Sequence, residues 1–353
     1  MRANRQPRRI RNATTARQRL AHQITACWRT QALHAAVVLE LPDQLEKTAG
    51  EVAALAQACG CKPDSLQRLL RALCALQVCR EKPDGTFALN AAGKALCKSP
   101  EDGQVSMRAL TLWWGGAMWP LWSDLPYSVR TGNSARLRQT GAAHYGFLEE
   151  SADLATLFHQ AMQAMTALMA EDIAALDLFS RVGLMVDVGG GNGALAATIA
   201  ARHARLQVMV LDRADAKSGV STDFNALLQS GRATFVVGDF FANMPGGADC
   251  YLLKSILHNW DDEHCRKLLA LCAVASRPGT RLLVVERIRP ERLKHTHHDD
   301  AVCRTDLNML LGLGGRERTL AEYSALLLGA GFAVRAVHPT QYEFSVMEAV
   351  ALN

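Results

Sequence analysis

Lys254 and His258 stand four residues apart and lead into Asn259-Trp260-Asp261-Asp262-Glu263. A histidine with an ordinary pKa of about 6.5 can take a proton at neutral pH, so His258 is the candidate general base. Glu286 and Glu317 are candidates to flank it. They would fix its tautomer and steady the imidazolium, as the acid does in a hydrolase triad, although either could equally be a carboxylate in a loop. A second set lies earlier: Asp187, glycines at 189, 191 and 193, then Asp212, and Gly238-Asp239-Phe240-Phe241. Glycines let a backbone approach a ligand closely, an acid such as Asp212 can grip ribose hydroxyls, and Asp239 with Phe240 suits an adenine amino group and ring face.

The elements that must carry these residues are legible as apolar runs. Strands are expected at Leu184–Val188, Val208–Leu211, Thr234–Val237, Cys250–Leu253 and Leu282–Glu286, with helical stretches between them. That alternation marks a parallel sheet with helices on both faces, and its ligands sit beyond the C-terminal ends of the strands. Each candidate above falls at such an end, with Glu317 in the loop 312–319. Phe332–Val337 and Tyr342–Ala351 would close the chain as a final antiparallel pair, which a plain dinucleotide fold lacks.

Two cofactors fit the glycine turn. Gly189, Gly191 and Ala194 satisfy the looser dinucleotide fingerprint G-x-G-x-x-A. Asp187 argues for the other. A carboxylate inside a buried strand needs a cation, and S-adenosylmethionine (SAM) brings an ammonium and a sulfonium but no pyrophosphate.

With 353 residues, 49% of them apolar, the chain is long enough for two domains with a large core. No apolar run reaches the roughly 18 residues a membrane span needs, and no apolar stretch follows the basic N-terminus as a signal peptide would require. The net charge of +5 misleads. Seven arginines (2, 5, 8, 9, 11, 17 and 19) and no acid occupy the first 19 residues, which leaves −2 for the rest. The body therefore offers no bulk attraction for nucleic acid, and the tail reads as a disordered, solvated arm. Ten scattered cysteines without paired CxxC motifs suit free thiols in a reducing cytoplasm rather than a zinc site.

Helical patterning runs from Arg17 to Val38. Thr48 is positioned to cap a helix from about Ala49 to Cys59, and Pro63 opens a second helix with Leu66, Leu69, Leu70, Leu73 and Leu76 on one face. Pro83-Asp84-Gly85 then marks a turn between short apolar runs. This is helix, turn, helix, wing. Its basic footprint is thin (Lys62, Arg68, Arg71, Arg80), so packing or dimerisation is expected rather than DNA binding. Residues 105–180 read as mostly helical and carry Trp113, Trp114, Trp119, Trp122, Tyr127, Tyr145, Phe147 and Phe158, then Met162, Met165 and Met169. They are core, or the wall of a pocket for a flat apolar ligand, and Phe158 and Met162 are the best pocket candidates. His295, His297, His298, Asp299 and Asp300 could bind a metal by type, but they sit in what reads as a charged, solvated loop. No ligand set is foreseen at the strand ends, so no metal is expected.

These residues resemble the small-molecule O-methyltransferases of the caffeic-acid type, which include bacterial enzymes of phenazine and anthracycline tailoring. The resemblance runs over residues 20–353. It rests on D-x-G-G-G-x-G at Asp187 to Gly193, the ribose acid at Asp212, G-D-(M/F)-F at Gly238 to Phe241, K-x-x-x-H-(D)-W-x-D-E at Lys254 to Glu263 and G-G-x-E-R-T at Gly314 to Thr319. It implies a Rossmann-like, seven-stranded class I methyltransferase sheet of the α/β class behind an N-terminal, mostly helical winged-helix dimerisation domain. The implied division is a disordered tail over 1–19, the dimerisation domain over 20–110, a helical linker and substrate-pocket region over 111–180, and the catalytic domain over 181–353.

By the same resemblance Asp187, Gly189, Gly191, Asp212, Asp239, Phe240 and Lys254 would hold SAM, with Lys254 near Asp239 and Phe240. His258 would be the base between Glu286 and Glu317. Phe158, Met162, Asn308 and Met309 would line the acceptor pocket, and no metal would be needed. Two positions depart from the family pattern. Asn259 stands where an aspartate is usual, and Arg213 where a proline follows the ribose acid. The sequence as a whole points to a cytoplasmic, homodimeric SAM-dependent O-methyltransferase acting on a phenolic hydroxyl of a planar aromatic natural product such as a hydroxyphenazine or polyketide. An NAD-dependent dehydrogenase, a DNA-binding regulator on the same fold, and a relative using SAM without methyl transfer are the alternatives.

Overall fold

The computed structural model describes residues 15–142 and 144–352. Arg2, Arg5, Arg8, Arg9 and Arg11 of the basic tail lie outside the described residues. The helix Ala16–Ile24, capped by Thr15, takes in the last residues of the stretch expected to be disordered. The chain divides into two compact units, with the break between Asp102 and Gly103 rather than at 110. Residues 111–180 fall within the second unit instead of forming a region of their own.

The first unit contains the helices Ala16–Ile24, Cys27–Val38, Leu41–Lys47, Val52–Ala58 and Pro63–Ala75, and the hairpin of β1 (Cys79–Glu81) and β2 (Phe87–Leu89). Thr48 does not cap the fourth helix. It ends the third, and its hydroxyl accepts from the Gly50 N–H at 3.3 Å, so the fourth helix starts later, at Val52. Gly50 is obligatory there: φ is +86°, and a Cβ would stand 1.9 Å from the Phe87 carbonyl oxygen. The leucine face of Pro63–Ala75 is spent inside the unit, with Leu66, Leu70 and Leu73 buried. Among the described residues of this unit the exposed large apolar side chains are Val38 and, spaced four residues apart along the first two helices, Leu20, Ile24 and Trp28 at 55%, 66% and 70% exposure. Among the basic residues, Arg71 is paired with Glu81 and Arg80 donates to the Leu89 carbonyl, so the footprint for a phosphate backbone is thinner still.

The second unit is built on a seven-stranded sheet in the order β5-β4-β3-β6-β7-β9-β8. Its strands are β3 (Leu184–Val188), β4 (Gln207–Asp212), β5 (Ala233–Val237), β6 (Cys250–Lys254), β7 (Arg281–Glu286), β8 (Phe332–Pro339) and β9 (Ser345–Ala351). β3 to β7 are parallel, and β9 runs antiparallel between β7 and β8. Side chains alternate between two cores, Met185, Leu252 and Val285 on one face and Val186, Tyr251 and Val284 on the other. The strand order reverses between β3 and β6, which opens a crevice at their C-terminal ends. A third cluster gathers Trp113, Met118, Phe147, Ala161 and Leu311 away from the sheet, with Phe158 and Met162 packed against it.

Candidate functional site

The crevice between β3 and β6 starts from the glycine turn. Gly189, Gly191 and Gly193 all have positive φ, at 68°, 60° and 78°. Each has its own reason for lacking a side chain. A Cβ on Gly189 would come within 2.4 Å of Ile256, and one on Gly193 within 2.4 Å of Phe224. Around Gly191 there is open space, so that glycine faces the crevice. Its N–H donates to Asp212 Oδ2 at 2.6 Å, and the Arg213 N–H donates to Asp212 Oδ1 at 2.6 Å. The second bond depends on the departure noted above, because a proline at 213 has no N–H to give. Burial raises the Asp212 carboxyl above the usual range, and these two N–H groups oppose the rise.

Asp187 ends the row of side chains begun by Met185 and is almost fully buried, with Oδ2 lacking any partner. Burial pushes its pKa up to about 7, against the pull of Lys254. Lys254, at the end of the neighbouring β6, donates to Thr166 Oγ1 at 2.8 Å, and burial lowers its pKa to about 8. The protein neighbours of Lys254 are Thr166 and Asp187. β3 and β4 stand between β6 and β5, whose exit carries Asp239, and the Phe240 ring reaches back toward Gly189, against which Ile256 also packs. Asp239 is exposed and accepts from the Phe241 N–H, and Phe240 packs against Phe241 and Trp260. A buried, unpaired carboxylate, an open glycine and a double-anchored acid form a donor and acceptor set suited to a ligand with a cationic head and vicinal hydroxyls, as the expected SAM has.

One helix, Ala152–Ala167, reaches several of these pieces. His159 lies 3.0 Å from Asp215 beside the Asp212 loop, Gln163 accepts from Asn192 of the glycine turn, and Thr166 holds Lys254. The same helix sends Phe158 among Trp113 at 5.3 Å, Tyr145 at 5.9 Å and Phe147 at 6.5 Å between ring centres. Met162 packs against that cluster, whereas Met169 belongs to the sheet core and Trp119 is exposed. Asn308 is buried on the helix His297–Gly312 with Oδ1 unpaired, beside the half-buried Met309.

His258 lies in the short 3-10 turn after β6 and is buried. Its Nδ1 is 3.1 Å from Glu286 Oε2 and 3.4 Å from Glu317 Oε1, off the ideal hydrogen-bond line to either. Glu286 is the last residue of β7. Its Oε1 accepts from the Ile256 and His258 N–H groups, so its other oxygen is left for the ring. Burial alone would lower the His258 pKa, but the two carboxylates outweigh it and the net shift is upward. Burial likewise raises the Glu286 carboxyl, with His258 opposing. No described residue bonds to Nε2.

The segment Gly315–Arg318 closes the cluster. The Arg316 N–H donates to the His258 carbonyl, and the Glu317 N–H to Asp306 Oδ1. Arg318 is fully buried and donates to the carbonyls of Leu257 at 2.9 Å and Trp260 at 2.8 Å, and to Asp262 Oδ1. Asn259 turns its amide to the Ser255 carbonyl, away from any role as a charge. Thr166, His159, Gln163, Asp306 and Arg318 escaped the sequence reading, and Tyr145 entered it only as one of the aromatics of residues 105–180. Tyr145 is half-buried, and its hydroxyl is raised by burial and by the carboxylates of Asp212 and Glu286. Only Arg318 carried a signal, its place next to Glu317 in the G-G-x-E-R-T motif.

Two metal expectations meet the structure differently. The His295 group is not a solvated loop beyond Thr296. Residues 297–312 are helical, Asp299 caps the helix by accepting from Lys294 and Thr296 N–H groups, His298 bonds to the Ile288 carbonyl and Asp300 pairs with Arg304. At the strand ends, where no ligand set was foreseen, His258, Glu286 and Glu317 bring three ligand-type atoms within 4.8 Å of one another. The same closeness serves a shared proton.

Two family models match the chain: an O-methyltransferase dimerisation domain over residues 21–99 and an O-methyltransferase domain over residues 122–333. The 3-amino-4-hydroxybenzoate 4-O-methyltransferase of Streptomyces cremeus is 35% identical, over 95% of this chain and 90% of its own. Human N-acetylserotonin methyltransferase, solved in complex with SAM, superposes with a TM-score of 0.87 at 25% identity, covering 97% of this chain and 99% of its own. NcsB1, an O-methyltransferase from neocarzinostatin biosynthesis solved with SAM and 2-hydroxy-5-methyl naphthoic acid, superposes with a TM-score of 0.73 at 32% identity, covering 92% and 96%.

Proposed function

The chain belongs to the O-methyltransferase family, and from that premise we propose that it methylates a phenolic hydroxyl of a planar aromatic natural product, with His258 as general base. It is a SAM-dependent O-methyltransferase of the secondary-metabolite type. When bound, SAM supplies an electrophilic methyl on a sulfonium that leaves readily. The chain's own residues have two tasks, alignment and deprotonation. Asp212 is set to take the ribose hydroxyls, Asp187 to meet the ammonium, and Gly189 and Gly191 to let the backbone close on the ligand. Asp239 and Phe240 would meet the adenine, and Lys254 would fix the floor between Asp187 and Thr166.

The observation that carries the proposal is the placing of one imidazole nitrogen against two buried carboxylates. Nδ1 faces Glu286 and Glu317, whose charges favour a proton on that nitrogen, so the neutral ring presents Nε2 as the acceptor, and the imidazolium formed on deprotonation lies beside two negative charges. A neutral phenol with a pKa of about 10 is a poor nucleophile at pH 7, and this arrangement removes its proton as the methyl moves. Phe158, Met162, Asn308 and Met309 would wall the acceptor. The rings around Phe158 favour a flat aromatic body, and the naphthoic acid seen in NcsB1 is of that kind.

A homodimer through residues 20–110 is part of the same reading, supported by the dimerisation model and by the exposed Leu20, Ile24 and Trp28. So is a cytoplasmic location. No described helix is long and apolar enough to cross a membrane. The test is the pH–rate profile of His258→Ala against the wild type on one acceptor. Methyl transfer at pH 7 should fall by roughly 10²–10⁴-fold. The gap should close as the acceptor ionises by itself. Equal rates at pH 7 on a still-protonated phenol would remove His258 from the mechanism.

A further inference from the structure

The backbone around His258 is held by a buried cation that takes no part in binding or proton transfer. Arg318 has no exposed surface, and its guanidinium spans the turn from both sides: Nη1 donates to the Leu257 carbonyl, the residue before the base, and Nη2 to the Trp260 carbonyl, two residues after it. Nε and Nη2 also meet Asp262 Oδ1 at 3.0 and 2.8 Å, which supplies the countercharge a buried arginine needs. A planar fork with donors in fixed directions can hold three acceptors at once, whereas a lysine ammonium is a point charge on a flexible stem. The backbone on either side of Arg318 works toward the same end. Arg316 N–H holds the His258 carbonyl, Arg318 accepts from the Arg289 N–H just past Glu286, and Glu317 N–H is tied to Asp306. One short segment thus joins the base to the exits of two strands.

We infer that Arg318 is a positioning residue for the reaction: by clamping Leu257 and Trp260 it sets the His258 ring against Glu317, its own neighbour in sequence. This rests on His258 being the base. Removing the clamp takes the charged donor from two buried carbonyls, leaving Leu257 to the Trp260 N–H and the Cys265 thiol and Trp260 to that thiol alone. The 257–260 turn is then less firmly held, and a shift of about 1 Å in a catalytic group can cost on the order of 10²-fold in rate.

The experiment is a double-mutant cycle of Arg318→Lys with His258→Ala, reading kcat, the KM for SAM and the pH–rate profile, with thermal unfolding as a check that each variant is folded. Arg318→Lys alone should lower kcat by on the order of 10–100-fold at an unchanged KM for SAM, and the deficit should shrink at high pH. In the His258→Ala background it should cost nothing further, since the group it positions is gone. Should Arg318→Lys not fold, Asp262→Asn frees the guanidinium from a partly exposed partner and should show the same dependence on His258 with a smaller loss. Guanidinium ion at millimolar concentration should restore part of the rate of Arg318→Ala. Equal losses with and without His258 would overturn the inference and leave Arg318 as a fold staple. His258→Ala with a wild-type rate would overturn the base reading itself, and the clamp's role with it.

Discussion

Gly315→Ala is the smallest change that should move His258, the proposed base. Gly315 does not have positive φ, so alanine is conformationally acceptable there. Space is what it lacks: a Cβ would stand 2.0 Å from the His258 carbonyl oxygen, 2.5 Å from Asn259 C and 2.8 Å from Asn259 Cα. All three are backbone atoms, so no side-chain rotation relieves the clash. Contacts below 3.0 Å essentially do not occur, so the two segments must separate by about 1 Å at this point. Overpacking of this kind costs about 1–3 kcal/mol of stability, which a domain of this size survives. The larger effect falls on the rate. The moved atoms belong to His258 and Asn259 themselves, and a displacement of about 1 Å from the productive geometry is worth on the order of 10²-fold. The assay compares kcat at saturating SAM and acceptor with SAM affinity by calorimetry and with the melting temperature. We expect kcat to fall about 10²-fold, SAM binding to persist because the glycine turn, Asp212 and Asp187 lie elsewhere, and the deficit to shrink at pH values where the acceptor is already ionised. A lowered melting temperature with an unchanged kcat would refute the reasoning, since the clash would then be absorbed without the base's position mattering.

Asp212→Asn should be as damaging as Asp212→Ala. Both carboxylate oxygens accept from backbone N–H groups, so an amide would aim a donor at a donor. Each variant should weaken SAM binding by about 1–3 kcal/mol by calorimetry, and wild-type affinity in the asparagine variant would count against this. Asp187 titrates near 7 because burial penalises its charge, so the folded protein holds a proton there that the unfolded chain loses near 4. Stability from this group therefore declines as pH rises from about 4 to about 7. A cationic ligand favours the ionised form, so SAM should bind more tightly as pH rises through 7 and release protons below it. Calorimetry in buffers of different ionisation enthalpy should detect that release, and Asp187→Asn should abolish it. The upward shift at His258 places the acid limb of the pH–rate profile above that of an ordinary histidine, and Glu317→Gln should move the limb down. Chelating agents should leave the rate unchanged, because the His258 cluster is read as holding a proton. Loss of activity restored by a divalent ion would show that it holds a metal instead.

The sheet was legible because a buried parallel strand is a run of apolar residues with a defined end. β3 spans the expected residues, β5, β6 and β7 are one residue longer at one end, and β4 is one residue longer at each. β9 starts at Ser345 rather than Tyr342, since Tyr342 and Phe344 pack against the core while their backbone turns. His258, Glu286 and Glu317 were found by the rule that ligands gather at strand ends, and three elements bring them together. Lys254 and Arg318 have partners set by packing between segments distant in sequence, and no local spacing encodes those. Thr48 differs: its hydroxyl serves the Gly50 N–H two residues on, in a turn rather than a helix start. A buried arginine reads as a surface charge until the carbonyls it serves are visible. The Leu66–Leu76 face was recognised as apolar, but periodicity does not say whether the covering partner is the same chain or another.

The helix Ala152–Ala167 has a consequence for how such an enzyme can change. His159, Gln163 and Thr166 fall on one stripe and bond to Asp215, Asn192 and Lys254 around the proposed methyl-donor site, whereas Phe158 and Met162 fall on the adjacent stripe among the aromatic rings. Positions 158 and 162 can therefore vary in size and shape without disturbing what 159, 163 and 166 hold. Lineages diverging toward new acceptors have a place to accumulate substitutions one at a time, each tested against a fresh scaffold of aromatic carbon while the donor chemistry stays inherited. A library confined to those two codons is the narrowest one in which altered acceptor preference should be found.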